Sequence, residues 1–213
     1  NKVISTKELI DKKTLAEFKI NSIVLTYPEE ECKLVKGMKY QDEIDYIVTN
    51  TKRNEFIRDL TLNIKGNTLV LFQFVEKHGN ILHKMISEAT DREVFYVYGG
   101  TDTQTREDIR AITEKKNDAI IVASYGTFST GINIRNLHNI VFSSPSKSRI
   151  RTLQSIGRGL RRSDSKDSAI LFDIADDLSY KSKRNFTLNH FLTRINIYNE
   201  EEFDYEIKRI KLK

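Results

Sequence analysis

At 213 residues, with 38% hydrophobic and 31% charged side chains, the chain has the size and balance of one sizeable folded domain. No apolar run approaches the roughly 20 residues that span a bilayer, and the four histidines and single cysteine show no spacing that would build a zinc site or an internal disulfide. A formal net charge of +5 points toward a polyanionic partner, and the lone Cys32 toward a reducing compartment.

The first predicted element is a helix in "ISTKELIDKKTLAEF", where Ser5 and Glu8 form a capping box. A strand follows over 18–27, ended by Pro28, and the apolar spacing of 40–64 predicts two helices. From there apolar runs alternate with helical patterns. Strands are expected at 68–74, 93–100, 118–124, 138–144 and 168–174, and helices at 75–89 and 101–116. "SKSRIRTLQSIGRGLRR" supplies a further helix between the last two strands, and the tail reads as a helix and a final alternating strand. Val/Ile/Leu-rich strands separated by helices predict a doubly wound α/β domain, mainly parallel, with helices on both faces. In such a sheet ligands bind beyond the carboxyl ends of the strands.

The segment that follows the fourth of these apolar strands carries the most specific signal. In "RTLQSIGRGLRR", Leu153, Ile156 and Leu160 fall within about 60° of one another on a helical wheel, a buried stripe. Gln154, Arg158 and Arg161 share a similar arc about a third of a turn away. Guanidinium forks at such a position suit phosphate oxygens, although a solvated basic helix face has the same spacing. Gly157 and Gly159 each cost about 1 kcal/mol relative to alanine inside a helix, a cost that makes sense where a ligand must approach closely. The second stretch, "IIVASYGTFSTGINIRNLHNIVFSSP", ends an apolar strand at Ser124 and continues through Gly126, Thr127, Ser129, Thr130 and Gly131. It reads as a loop whose hydroxyls and amides can bind phosphates without reading bases.

Two acidic runs are dismissed as metal sites. "DEID" (42–45) follows no apolar strand and is expected to begin a helix; "AILFDIADD" places Asp173 and Asp176 at a strand end, where a structural or inter-lobe role is expected. A G-x-x-x-x-G-K-[ST] phosphate loop does not occur.

Taken together, strand, "STGIN", strand, "SSP", helix, "QSIGRGLRR" resembles motifs V and VI of the superfamily 2 helicases and translocases. "NTLVLFQFVEKHGNIL" is similar to their motif IV region, and "VYGGTDTQTRED" to the segment after it. The resemblance implies the second, C-terminal RecA-like lobe of such a motor. It divides the chain into an inter-lobe connection and lobe start (1–60), a core with motifs IV to VI (61–175) and a helix/strand extension (176–213). It implies that Arg161 is the arginine finger, that Arg158 joins it at the γ-phosphate, and that Gln154 couples nucleotide state to lobe closure. Gly131 and Asn133 match the nucleotide-side end of motif V, where many members carry Asp instead of Asn. Ser124, Thr127, Ser129 and Thr130, with Lys147 and Arg149 of "SPSKSR", would meet nucleic-acid phosphates.

The resemblance further implies ATP and Mg2+ held mainly by an N-terminal lobe of the same polypeptide, a DNA substrate bound without sequence preference and branched in form, and a cytoplasmic monomer acting in recombination, repair and replication restart. The chain, opening on Asn1 without a leader segment, is expected to be a piece of that protein and inactive alone. The competing reading is a non-enzymatic nucleic-acid-binding α/β domain.

Overall fold

The computed structural model describes residues 17–131, 134, 136–145 and 168–212. Through these residues the chain runs β1 (Glu17–Thr26), α1 (Glu29–Val35), α2 (Tyr40–Thr49), α3 (Thr51–Asn63), β2 (Thr68–Phe72), a π-helical turn (Val75–Gly79), α4 (Asn80–Ser87) and β3 (Val94–Val97). It continues with α5 (Thr103–Lys115), β4 (Ile120–Ser124), α6 (Tyr125–Gly131), β5 (Asn139–Phe142), β6 (Ser168–Asp177), α7 (Phe186–Glu200) and β7 (Asp204–Lys211). The strands form one seven-stranded sheet, ordered β3-β4-β2-β5-β6-β1-β7, and every neighbouring pair is parallel.

Burial explains why the central strands read as continuous apolar runs: every residue of β2, β4 and β5 is buried, as expected where helices cover both faces. One face packs Leu69, Leu71, Ile121 and Ile140 with Ile109 of α5, Phe128 of α6 and Tyr198 of α7. The other packs Val70, Phe72, Val122 and Val141 with Cys32, Ile47, Ile57, Leu82 and Ile86 of α1 to α4. Both the first described strand and the last belong to this sheet, since β1 lies between β6 and β7. β7 is an edge carrying Glu206, Lys208, Arg209 and Lys211, charge that discourages pairing with another chain.

Two elements differ from expectation. The short helix α1 was not predicted: Pro28 precedes it, Glu29, Glu30 and Glu31 fill its first turn, and only Cys32 and Val35 are buried. Seven residues give too little periodicity to register. The stretch after β4, expected as a loop, is the helix α6. Ser124 accepts the Thr127 backbone N–H at 3.3 Å, a side-chain cap, and Tyr125 and Phe128 anchor the turn in the core. The predicted helix over 4–18 lies largely, and the one over 146–162 wholly, outside the described residues.

At the amino edge of the sheet, buried Asn67 joins three segments. Its Nδ2 donates to the carbonyls of Thr113, Lys116 and Asn136 at 2.6–2.9 Å, and its Oδ1 accepts from the Ala119 N–H at 2.9 Å. Gly66 beside it has φ +94°, and a Cβ there would meet the His138 side chain at 2.8 Å. Among the described residues no helix is long and apolar enough to cross a membrane.

Candidate nucleotide and nucleic-acid interface

At the carboxyl edge the ends of β2, β4 and β5 lie side by side, and a chain of directed hydrogen bonds ties them together. Asn54 on α3 fixes the direction, because its Nδ2 donates to the Val48 carbonyl at 2.9 Å. Its Oδ1 is therefore the acceptor for His78 Nε2, 3.2 Å away. That assigns the proton to Nε2 and leaves Nδ1 to accept from the Ser144 hydroxyl at 2.8 Å. The Ser144 oxygen in turn accepts the Gln73 N–H at 3.0 Å. Tyr125, opening α6, donates its hydroxyl to the Ser144 carbonyl at 3.3 Å. Burial, helped by the positive charge of Arg53, holds the His78 imidazole well below the usual histidine range, so the ring is neutral at neutral pH and the network keeps one direction.

Local sequence explains how His78 reaches this point. The turn Val75–Gly79 is π-helical, with the Gly79 N–H bonded to the Phe74 carbonyl at 2.8 Å. π-turns occur frequently at functional sites. A Cβ at Gly79 would sit 2.5 Å from the Phe72 ring, so only glycine lets the turn fold back this closely. Ser143 extends the ladder, its hydroxyl donating to the Leu71 carbonyl at 2.7 Å.

Of the residues expected to bind nucleic acid, Ser124 and Thr127 are brought together. Their hydroxyls are 2.8 Å apart, and both side chains are buried. Gly131 ends α6, while the side chains of Ser129 and Thr130 lie outside the described part. Asn133, Lys147, Arg149, Gln154, Arg158 and Arg161 also lie outside the described residues.

The acidic runs have structural partners. "DEID" lies in the first half of α2, and its Glu43 is buried. The Glu43 carboxylate accepts the backbone N–H groups of Phe186 and Thr187 at 2.9 and 2.7 Å, capping α7 from another helix. Asp173 is bonded to Arg194 and Tyr198, and Asp176 to Arg53 and Tyr27. Among the described residues, no group of three or more His, Cys, Asp or Glu gathers in a way that could hold a metal ion. What the described edge offers is hydroxyl, amide and neutral imidazole groups. These groups are buried and bonded to one another, so they brace the strand ends, and it is the arginines that the sequence places after Ser144 whose chemistry suits a phosphate.

His78 and Ser144 lie at strand ends (74–78 and 143–148) where the sequence directs the search for a ligand; Asn54, Gln73 and the bonds that join all four were missed. "SSP" and "EKHG" were visible as strings, but the long-range pairing of Asn54, His78 and Ser144 left no periodic trace.

Comparison with known proteins agrees with this architecture. The model of the helicase conserved C-terminal domain matches residues 51–163. The ATP-dependent DNA helicase UvsW of enterobacteria phage T4 is 38% identical over 99% of this chain, which spans 44% of that relative. Its crystal structure superposes with a TM-score of 0.81 at 37% identity, over 94% of this chain and 43% of that one. The ATP-dependent restriction-modification enzyme LlaBIII, solved bound to DNA, shares the fold with a TM-score of 0.63 at 13% identity, over 98% of this chain and 16% of that one. Motif order, sheet topology and these matches lead to one conclusion: the chain belongs to the helicase C-terminal domain family and is a RecA-like lobe resembling that of UvsW.

Proposed function

We propose that this lobe works as the second half of an ATP-dependent DNA helicase that unwinds or branch-migrates branched DNA in recombination, repair and replication restart. The observation that carries this reading is the clustering of the ends of β2, β4 and β5 around Ser144, which stands three residues before Lys147 and ten before Gln154. The segment that bears Arg158 and Arg161 therefore starts from a braced point at the edge where α/β sheets bind ligands.

In this reading ATP and Mg2+ are held mainly by an N-terminal lobe of the same polypeptide, and the bound nucleotide supplies the phosphoanhydride that drives movement. Arg161 and Arg158 place positive charge at the γ-phosphate, Gln154 reports nucleotide state to the lobe interface, and Gly131 and Asn133 line the nucleotide side of the cleft. The segment that carries Ser124, Thr127, Ser129 and Thr130, with Lys147 and Arg149 after β5, meets the DNA backbone. The buried Ser124–Thr127 pair would act by shaping α6, leaving its amino end toward phosphates. Residues 1–60 connect the lobes, 61–175 form the motor core and 176–213 extend it. The protein acts as a cytoplasmic monomer, in the host if phage-encoded, and the lobe alone turns over no ATP.

An arginine finger is worth about 10³ to 10⁵ in turnover. In the full-length protein Arg161→Ala is expected to lower DNA-stimulated ATP hydrolysis by that order while DNA binding is retained. Hydrolysis at the parental rate would overturn the assignment. Loss of both activities would point instead to a nucleic-acid-binding module damaged at its binding face.

A further inference from the structure

Beyond the motor motifs, the carboxyl edge carries a second cationic feature at the ends of β6 and β1. The chain leaving β6 makes a tight turn in which Tyr180 and Lys183 exchange both backbone hydrogen bonds, at 3.0 and 3.1 Å. Lys181 at its tip has φ 53°, a conformation that residues with a Cβ seldom adopt and glycine adopts freely. The turn is held against the end of α1, where Lys183 Nζ donates to the Lys36 carbonyl at 2.7 Å. As a result the ammonium groups of Lys33, Lys36 and Lys181 lie 5.7, 5.3 and 5.6 Å from the centre of one ring, Tyr180.

Gathering three cations around one tyrosine is unfavourable unless anions are at hand, and nearby carboxylates supply little. Lys33 is paired with Glu29 at 2.8 Å. No ion pair with a carboxylate engages Lys36, Lys181 or Arg184 among the described residues. All three are exposed. The charge is thus presented to solvent on a braced scaffold rather than on a free helix face.

We propose that Lys36, Lys181 and Arg184 form a phosphate-backbone contact for a duplex arm of DNA, separate from the motor track at the ends of β4 and β2. Strand order sets the separation: β6 and β1 lie two to four strand spacings from β2 and β4, on the order of 10 to 19 Å, with β5 between them. The three ammonium groups beside the ring sit on exposed side chains, charge that suits phosphate oxygens of a backbone. The proposal rests on the reading that the full-length protein acts on branched DNA, and it supplies a second grip that a two-armed substrate requires.

The test uses the full-length protein with Lys36→Gln and Lys181→Gly combined, titrated with a fluorescent three-way junction and with single-stranded oligonucleotide between 50 and 300 mM salt. Each lost phosphate contact removes about 0.9 from the slope of log K against log salt. The junction slope is expected to fall by about 1 to 2, with affinity at 0.1 M salt weakened about 5- to 50-fold. Single-strand affinity and single-strand-stimulated ATPase are expected to stay unchanged. Lys181→Gly alone, which relieves the strained backbone, is expected to raise the unfolding midpoint while weakening junction binding. A merely structural role could not produce those opposite signs. Parental junction affinity and slope in the double variant would overturn the proposal and leave the cluster to an acidic protein surface. Parental protein that binds no DNA would instead overturn the helicase reading beneath it.

Discussion

β6 carries two aspartates three residues apart, and in a strand that spacing sends them to opposite faces. Each meets a buried arginine and a tyrosine, yet the two clusters are built differently. On one face Arg194 of α7 binds Asp173 through Nε and Nη2 at 2.8–3.1 Å, Tyr198 donates to the same carboxylate at 2.8 Å, and the guanidinium lies over the Phe191 ring. On the other face Arg53 of α3 grips Asp176 as a fork, Nε to Oδ1 at 2.7 Å and Nη2 to Oδ2 at 3.1 Å, and Tyr27 donates at 2.6 Å. There the Arg53 Nη1 is buried with no hydrogen-bond partner among the described residues. In both, burial works against the guanidinium charge and the aspartate restores it, so that Arg53 and Arg194 titrate above the usual arginine value. The Asp173 cluster is a fastener for the tail helix. The Asp176 cluster keeps a spare buried donor on the helix that also carries Asn54, part of the rim of the candidate site, and accepts a stability cost there.

The largest effects should come from removing the arginines. Stripping one partner from a buried ion pair leaves an uncompensated charge and costs about 3–5 kcal/mol. Arg194→Ala and Arg53→Ala are both expected in that range by urea unfolding. Arg53→Ala should cost less, because a buried unpaired donor carries a penalty of about 1–3 kcal/mol that its removal relieves. The reverse order would break the distinction between fastener and rim.

The sequence made part of this legible. Five-residue apolar runs announced the central strands, and the spacing of Asp173 and Asp176 already implied opposite faces. Their partners were hidden. Arg53 lies 123 residues from Asp176 along the chain, on a helix whose other basic residues are ordinary surface charges. The helix α6 was concealed by Gly126 and by Tyr, Thr and Phe, which favour other conformations, although Ser124 followed three residues later by Thr127 is a capping signal that could have been used. Motif VI, read from residue type and helical period alone, lies outside the described residues.

His78 sharpens the comparison through pH. Its folded pKa lies well below the ordinary value near 6.5, so the unfolded chain binds more protons once pH falls below about 6.5. The stability is fully present above that pH and is lost as pH falls toward the folded pKa, by up to about 1.4 kcal/mol per pH unit. His78→Gln is expected to flatten unfolding free energy between pH 7 and pH 5. His83, also lowered by burial, retains a smaller part of the slope. An unchanged slope in His78→Gln would remove the imidazole from the rim's energetics.

The smallest and most discriminating change is to the tyrosines. Burial and the neighbouring aspartate push both hydroxyls well above the usual value, so each remains an O–H donor across the working pH range. Phenylalanine removes that donor and keeps the ring, at a cost of about 1 kcal/mol per bond. Tyr198 is 0% exposed and Tyr27 is 7% exposed. A water can take over the lost bond at Tyr27 more readily than in the dry pocket at Tyr198. Tyr198→Phe is therefore expected to lower unfolding free energy by about 1 kcal/mol and Tyr27→Phe by less. A larger loss at Tyr27 would mean that the rim cluster, for all its unpaired nitrogen, is the more tightly sealed of the two.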